Sequence, residues 1–233
     1  MANGSNGMSD AAPPLACLTG QTTEHLVCIE DNIFLHRDVA PAFARLRATA
    51  ALEGIDLAIA SGFRAFERQL LIWNGKAQGQ RPVLDAQSRP LDVAALTDEE
   101  LVFAILRWSA LPGASRHHWG TDMDVWDRAA VAPGYALQLV PEEYAAGGPF
   151  ASLDRWLASP DVAALGFARP YGDDRGGVAP EPWHLSHLPV AQRFARCVSV
   201  DVLAQVVAAS DMALKDAVLA NLDLIHERFV ACA

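Results

Sequence analysis

Two short stretches concentrate the side chains that hold metals and move protons. Residues 115–127 read Ser-Arg-His-His-Trp-Gly-Thr-Asp-Met-Asp-Val-Trp-Asp, which sets two of the chain's 7 histidines and three carboxylates around Gly120. Further on, Glu181-Pro182-Trp183-His184 puts a carboxylate three positions before another histidine. Two histidines and one aspartate make a plausible three-ligand set for a catalytic zinc, with one position left open for water. A further carboxylate near that water can act as general base. This is not the H-E-x-x-H layout, in which one helix presents both histidines. Pro180 and Pro182 hold their segment extended, so the ligands would come from separate strands. The opposing reading is a packed histidine and a polar turn entering a strand. The two clusters together favour a metal site, and their spacing does not name the metal.

The elements that must position these residues follow from periodicity. From Thr121 to Trp126 the chain alternates as a half-buried strand, with Asp122, Asp124 and Trp126 on one face and Met123 and Val125 on the other. If that strand extended back, His117 and His118 would face opposite ways. Gly120 offers a turn or a close backbone approach. Val39 to Leu52 has Phe43, Leu46 and Ala50 at helical spacing, Pro41 in the first turn and Gly54 beyond the end. Asp56 to Ala60 reads as a strand running into Ser61-Gly62-Phe63-Arg64. Ala65 to Trp73 reads as a helix that breaks at Asn74-Gly75. Thr97 and Glu100 form a capping box that opens a helix to about Trp108. After Pro189, Ala, Val and Leu at helical spacing predict two helices, near 190–209 and 211–231.

The chain of 233 residues, 52% of them hydrophobic, suits a single domain over 18–233. Residues 1–17, rich in small and polar types, read as a disordered leader. Met8 is an alternative start behind Met1–Gly7. No basic n-region or apolar h-region marks the start as a signal peptide. A formal net charge of -10 argues against a nucleic-acid partner and against docking on anionic lipid. No stretch approaches a membrane span. Cys17, Cys28, Cys197 and Cys232 show no C-x-x-C pairing, so buried thiols or one optional bridge are expected.

Three motifs in order resemble the VanY-type zinc D-alanyl-D-alanine carboxypeptidases, which have the Hedgehog/DD-peptidase fold. Ser115 to Asp124 is similar to that family's S-x-H-x-x-G-x-A-x-D metal motif, and Glu181-Pro182-Trp183-His184 to its E-x-W-H motif. Ser61-Gly62-Phe63-Arg64, with Gln69 shortly after, is similar to its S-G-[FY]-R element. The match spans roughly residues 20–190. The resemblance implies His117, Asp124 and His184 as Zn2+ ligands and Glu181 as the base that activates water. It implies Arg64 near the scissile amide, Ser115 on the terminal carboxylate and Gln69 as a further substrate contact. Asp122 stands where the family has a small apolar residue. It is expected to orient a ligand histidine, with His118 as its partner and Trp183 supporting the site. The alternative is that Asp122 replaces a ligand.

The expected fold is α+β: a small antiparallel sheet carrying the zinc ligands, flanked by helices, with two C-terminal helices. The expected activity is zinc-dependent hydrolysis of the C-terminal D-Ala-D-Ala bond of peptidoglycan peptides. One alternative is an L,D-carboxypeptidase or another peptidoglycan peptidase. Another is a non-catalytic zinc-bearing binding module, as in Hedgehog signalling domains, against which Glu181 argues. The substrate suggests the periplasm or cell envelope.

Overall fold

The computed structural model describes residues 12–231. Among the described residues, six strands form two sheets. β1 (Leu26–Glu30) and β2 (Ile33–His36) make an antiparallel ribbon. Its turn, Asp31-Asn32, takes positive φ at both residues, which short amide and acid side chains tolerate. β3 (Leu57–Ser61), β4 (Asp122–Asp127), β5 (Phe167–Ala168) and β6 (His184–His187) form an antiparallel sheet in the order β3-β4-β6-β5. The two motif-bearing strands, β4 and β6, are therefore adjacent and central.

Helices cover this sheet: α1 (Leu15–Leu18), α2 (Ala40–Leu52), α3 (Phe66–Ala77) and α4 (Asp98–Leu106). Then come α5 (Pro141–Tyr144), α6 (Ala151–Leu157), α7 (Pro160–Ala164) and α8 (Leu188–Ala195). α9 (Val200–Ala209), α10 (Lys215–Ala220), α11 (Leu222–Ile225) and a π-helical turn (His226–Val230) complete the chain. None is long and apolar enough to cross a membrane. Met123, Val125 and Leu185, on the sheet face away from the acids, are fully buried in one core with Leu57, Trp73 and Ile105. The α+β architecture is the expected one, and Thr97 and Glu100 exchange both capping-box hydrogen bonds.

Several local expectations change. α3 runs through Asn74-Gly75 to Ala77. The Asn74 amide is occupied elsewhere, donating to Asp211 O and accepting from Ala213 N, so it does not compete with the helix backbone. His117 and His118 lie on a 3-10 turn, Arg116–Trp119, and not on a strand. The C-terminal helices are present in shorter pieces. The first parts around Arg196–Ser199, where Ser199 caps α9 by accepting from Val202 N.

The leader expected over 1–17 lies partly outside the described residues. Its end is helix α1, whose Cys17 and Leu18 are buried. Leu18 O accepts the Trp119 indole N–H at 3.0 Å, and Trp119 stacks on Phe194, which ties this segment to the core. Cys17, Cys28 and Cys197 are free thiols; Cys232 lies outside the described residues.

Gly120 fixes where β4 begins. Its φ of 67° is in the left-handed region. A Cβ there would come within 2.6 Å of Leu26 Cδ2 and 2.8 Å of His36 N, the amide that donates to Gly120 O. Strain and overlap add at this position. Gly120→Ala should lower unfolding stability by about 2 kcal/mol or more. Denaturant melts test this, and an unchanged midpoint would show that the ribbon gives way freely.

Candidate active site

The site is built on one cross-strand row. Asp124 of β4 lies directly opposite His184 of β6, so their side chains rise together from one face. On the other side of Asp124 the register of β3 shifts between Ile59 and Ser61, which brings Ser61 opposite Asp124. Such irregularities re-aim side chains next to sites. His117 arrives from the 3-10 turn, which ends at Gly120.

Hydrogen bonds set the histidine orientations. His117 Nδ1 donates to Gly62 O at 2.8 Å, leaving Nε2 3.5 Å from Asp124 Oδ1. His184 Nε2 donates to Asp122 Oδ1 at 3.1 Å, leaving Nδ1 also 3.5 Å from Asp124 Oδ1. Asp124 Oδ1 is buried and has no hydrogen-bond partner. The ligand atoms of His117, Asp124 and His184 lie within 4.8 Å of one another. Two ligands held about 2.0–2.1 Å from a tetrahedral zinc stand about 3.4 Å apart, close to the 3.5 Å between each histidine nitrogen and Asp124 Oδ1. An orphaned carboxylate oxygen between two imidazole nitrogens is the environment a divalent cation satisfies. These residues could hold one.

The electrostatics agree. Burial works against a charged His184, but Asp122, Glu181 and Asp124 outweigh it and raise its pKa to about 9. Burial would raise the Asp124 carboxyl, yet His117, His184 and Arg64 hold it below the ordinary range. Asp122 behaves likewise: burial is opposed by Arg116, then by His184 and Thr121, and the carboxyl stays ionised. Arg116 donates to Asp122 at 2.7 Å and to Ser186 Oγ at 2.8 Å, closing a buried ion pair under the row.

His118, expected to partner Asp122, does not touch it. Its ring points to the far side of the turn, where Nδ1 donates to Arg64 O and Nε2 accepts from Gly113 N. Burial first, then Arg64 and His117, lower its pKa to about 3, so it is a neutral packing histidine that fastens the Arg64 backbone. The partner of Asp122 is His184, with Arg116 behind. Trp183 forms one wall of the cleft, packs on Tyr144 and accepts Val125 N at its carbonyl.

A cleft of about 200 Å³ opens over the row and is lined by His117, Asp124, His184, Glu181, Arg64 and Ser115. Glu181 Oε2 is 3.1 Å from His184 Nδ1. Arg64 enters from the opposite side, donating to Gln69 Oε1 at 3.0 Å and to Ser61 Oγ at 3.2 Å, with Nη2 3.9 Å from Asp124 Oδ2. Glu67 is exposed and does not pair with it. Gln69 is fully buried and does not line the cleft. Its amide donates to Ala110 O and Ser109 Oγ while its Oε1 accepts from Arg64, so in this structure it braces Arg64 from behind the cleft.

Sequence reasoning missed Tyr171, Trp108 and Arg116, all in the lining. Tyr171 lies edge-on to His184 at 4.9 Å, from a turn-rich segment without periodicity to flag it. Arg116 was within reach: two acids entering a buried strand require a nearby cation.

The geometry has a counterpart among known proteins. The VanY family, described as D-alanyl-D-alanine carboxypeptidase, matches residues 32–190. The chain belongs to the VanY family. It is accordingly a peptidase. Two uncharacterized proteins of Haemophilus influenzae are similar in sequence. One is 47% identical over 98 residues, 40% of this chain and 67% of that protein. The other is 34% identical over 122 residues, 52% of this chain and 92% of that protein. The fold is similar to a vancomycin-resistance D,D-pentapeptidase VanY solved with Zn(II), at TM-score 0.50 and 19% identity, covering 84% of this chain and 92% of that one. It is equally similar to VanYB in complex with D-alanine-D-alanine, at TM-score 0.50 and 20% identity, covering 80% and 89%. The LdcB LD-carboxypeptidase also matches at TM-score 0.50 and 22% identity, covering 83% and 77%.

The raised His184 pKa sets a pH test. In metal-free protein the proton on His184 contributes stability that is complete below its ordinary value of 6.5 and lost as pH rises through about 9. A bound cation would take that proton's place. Thermal melts should show chelator-treated protein losing stability between about pH 7 and 9 relative to metal-loaded protein. Parallel curves across that window would contradict the assignment.

Proposed function

We propose that the protein is a zinc-dependent D,D-carboxypeptidase that releases the terminal D-alanine from peptidoglycan peptides ending in D-Ala-D-Ala. The observation that carries this reading is the position of Glu181, a partly exposed carboxylate 3.1 Å from the ligand nitrogen of His184 and facing the open side of the His117–Asp124–His184 set. A purely structural zinc site closes its fourth position with protein and needs no free base beside it.

Bound there, zinc would act as a Lewis acid that lowers the pKa of water and polarises the scissile carbonyl. The chain's own groups do the rest. Glu181 takes the proton from the attacking water and passes it to the departing amine of D-alanine. Arg64, fixed in orientation by Gln69 and Ser61, offers its remaining N–H groups to the oxygen on which negative charge develops. Ser115, buried in the cleft floor, donates its hydroxyl to the terminal carboxylate. Trp108, Tyr171 and Trp183 wall the cleft with rings, which excludes bulk water and limits the bulk of the terminal residue. Asp122 keeps the Nε2 proton on His184, so that Nδ1 faces the metal position. Such substrates belong to the cell envelope or periplasm, the compartment proposed for this protein.

Zinc should be present at about one ion per chain and lost in His184→Ala. Glu181→Ala should retain the metal yet lose hydrolysis of a D-Ala-D-Ala-terminated peptide by about 10² or more. A variant with normal turnover would remove Glu181 from the chemistry. Arg64→Lys keeps charge but loses the planar fork that spans Gln69, Ser61 and substrate, and kcat should fall by about tenfold or more. Wild-type kinetics would place Arg64 outside the site. A muropeptide panel separates the D,D reading from an L,D one: pentapeptide should be trimmed and tetrapeptide left intact.

A further inference from the structure

A second cleft, of about 500 Å³, lies beside the first. The two share Arg64, which stands between them. Its floor is apolar, from Ile33 and Phe34 of β2 and Ile72 of α3, and Asn32 lies at its rim. Its charged lining is Arg64 and Arg68, with no aspartate or glutamate among the described residues that line it. Arg64 is engaged by Gln69 and Ser61. Arg68 is exposed and makes no hydrogen bond or ion pair with any described residue. In a chain of net charge -10, other arginines of the fold, such as Arg47, Arg107 and Arg128, have acidic partners, whereas Arg68 faces the cleft without one.

We infer that this cleft is the subsite for the acyl side of the substrate and that Arg68 binds a free carboxylate carried by the peptide upstream of the scissile bond. The inference rests on the carboxypeptidase reading and names the class of its substrate, an acidic peptide. With the terminal carboxylate at Ser115 in the first cleft and the scissile carbonyl at Arg64, the rest of the peptide must leave past Arg64. The second cleft is contiguous there. Its volume falls in the range of ligand pockets and accommodates a few residues. The apolar floor takes the stem of the peptide, and the guanidinium of Arg68 meets a carboxylate with its fork. In an otherwise acidic molecule, a locally cationic cleft also steers an anionic peptide to the site.

The test uses two D-Ala-D-Ala-terminated peptides that differ upstream in one group, a free carboxylate or its carboxamide. Full-length wild type, Arg68→Ala and Arg68→Lys are compared in kinetics, and in calorimetric binding of versions whose terminal amide is replaced by an uncleavable methyleneamine. Wild type should prefer the carboxylate peptide, and less so at high salt. Arg68→Ala should raise KM for that peptide by about tenfold, leave kcat in place and leave the carboxamide peptide within about twofold. Arg68→Lys should recover part of the loss. Equal handling of both peptides by wild type, or an unchanged preference in Arg68→Ala, overturns the subsite while hydrolysis itself stands. Binding that depends on Arg68 without hydrolysis keeps the subsite and overturns the carboxypeptidase reading. Neither binding nor hydrolysis overturns both.

Discussion

The structure depends on burying negative charge. Asp122 and Asp124 leave the same face of a central strand, both buried, and Glu181 closes on the same histidine. Isolated carboxylates in such a position would cost several kcal/mol each, so each must have a cation or a set of donors. Arg116 answers Asp122 from the turn below. Asp124 has Arg64 only at 3.9 Å and one oxygen with no donor. What is left over is a demand for positive charge between three named residues, which in metal-free protein falls on a proton at His184.

Much of the surrounding fold serves that demand. The cross-strand pairing sets Asp124 against His184, the shifted register of β3 brings up Ser61, and Gly120 lets the turn bend tightly enough to return His117. Gly62 contributes its carbonyl to His117, and a Cβ on it would press to 2.8 Å from Phe34 O. A second circle then positions Arg64: Gln69 and Ser61 take its side chain, and His118 takes its backbone oxygen.

The site was largely legible in the sequence because its chemistry is carried by residue types with few other uses at that spacing. His117, Asp124 and His184 converge as the motifs implied, with Glu181, Arg64 and Ser115 around one cleft. What could not be read was direction. A 3-10 turn and a strand place His118 on different sides, and the turn sends it to Arg64 and not to Asp122. Gln69 carries the same chemical groups whether it holds a substrate or an arginine; only its burial decides. Asn74-Gly75 looked like a helix end because the tertiary partners of Asn74 lie some 140 residues away in the chain. Tyr171 came from an aperiodic segment that sequence patterns do not describe.

Everything turns on whether this histidine–aspartate–histidine set, with its orphaned oxygen, is a zinc centre with an open position. The most direct measurement is the zinc K-edge X-ray absorption spectrum of the loaded protein. It should show two imidazoles and oxygen donors at about 2.0–2.1 Å in four-coordinate or slightly expanded geometry, without sulfur. A sulfur shell at about 2.3 Å, a spectrum without imidazole scattering, or a protein that does not retain the metal would contradict it.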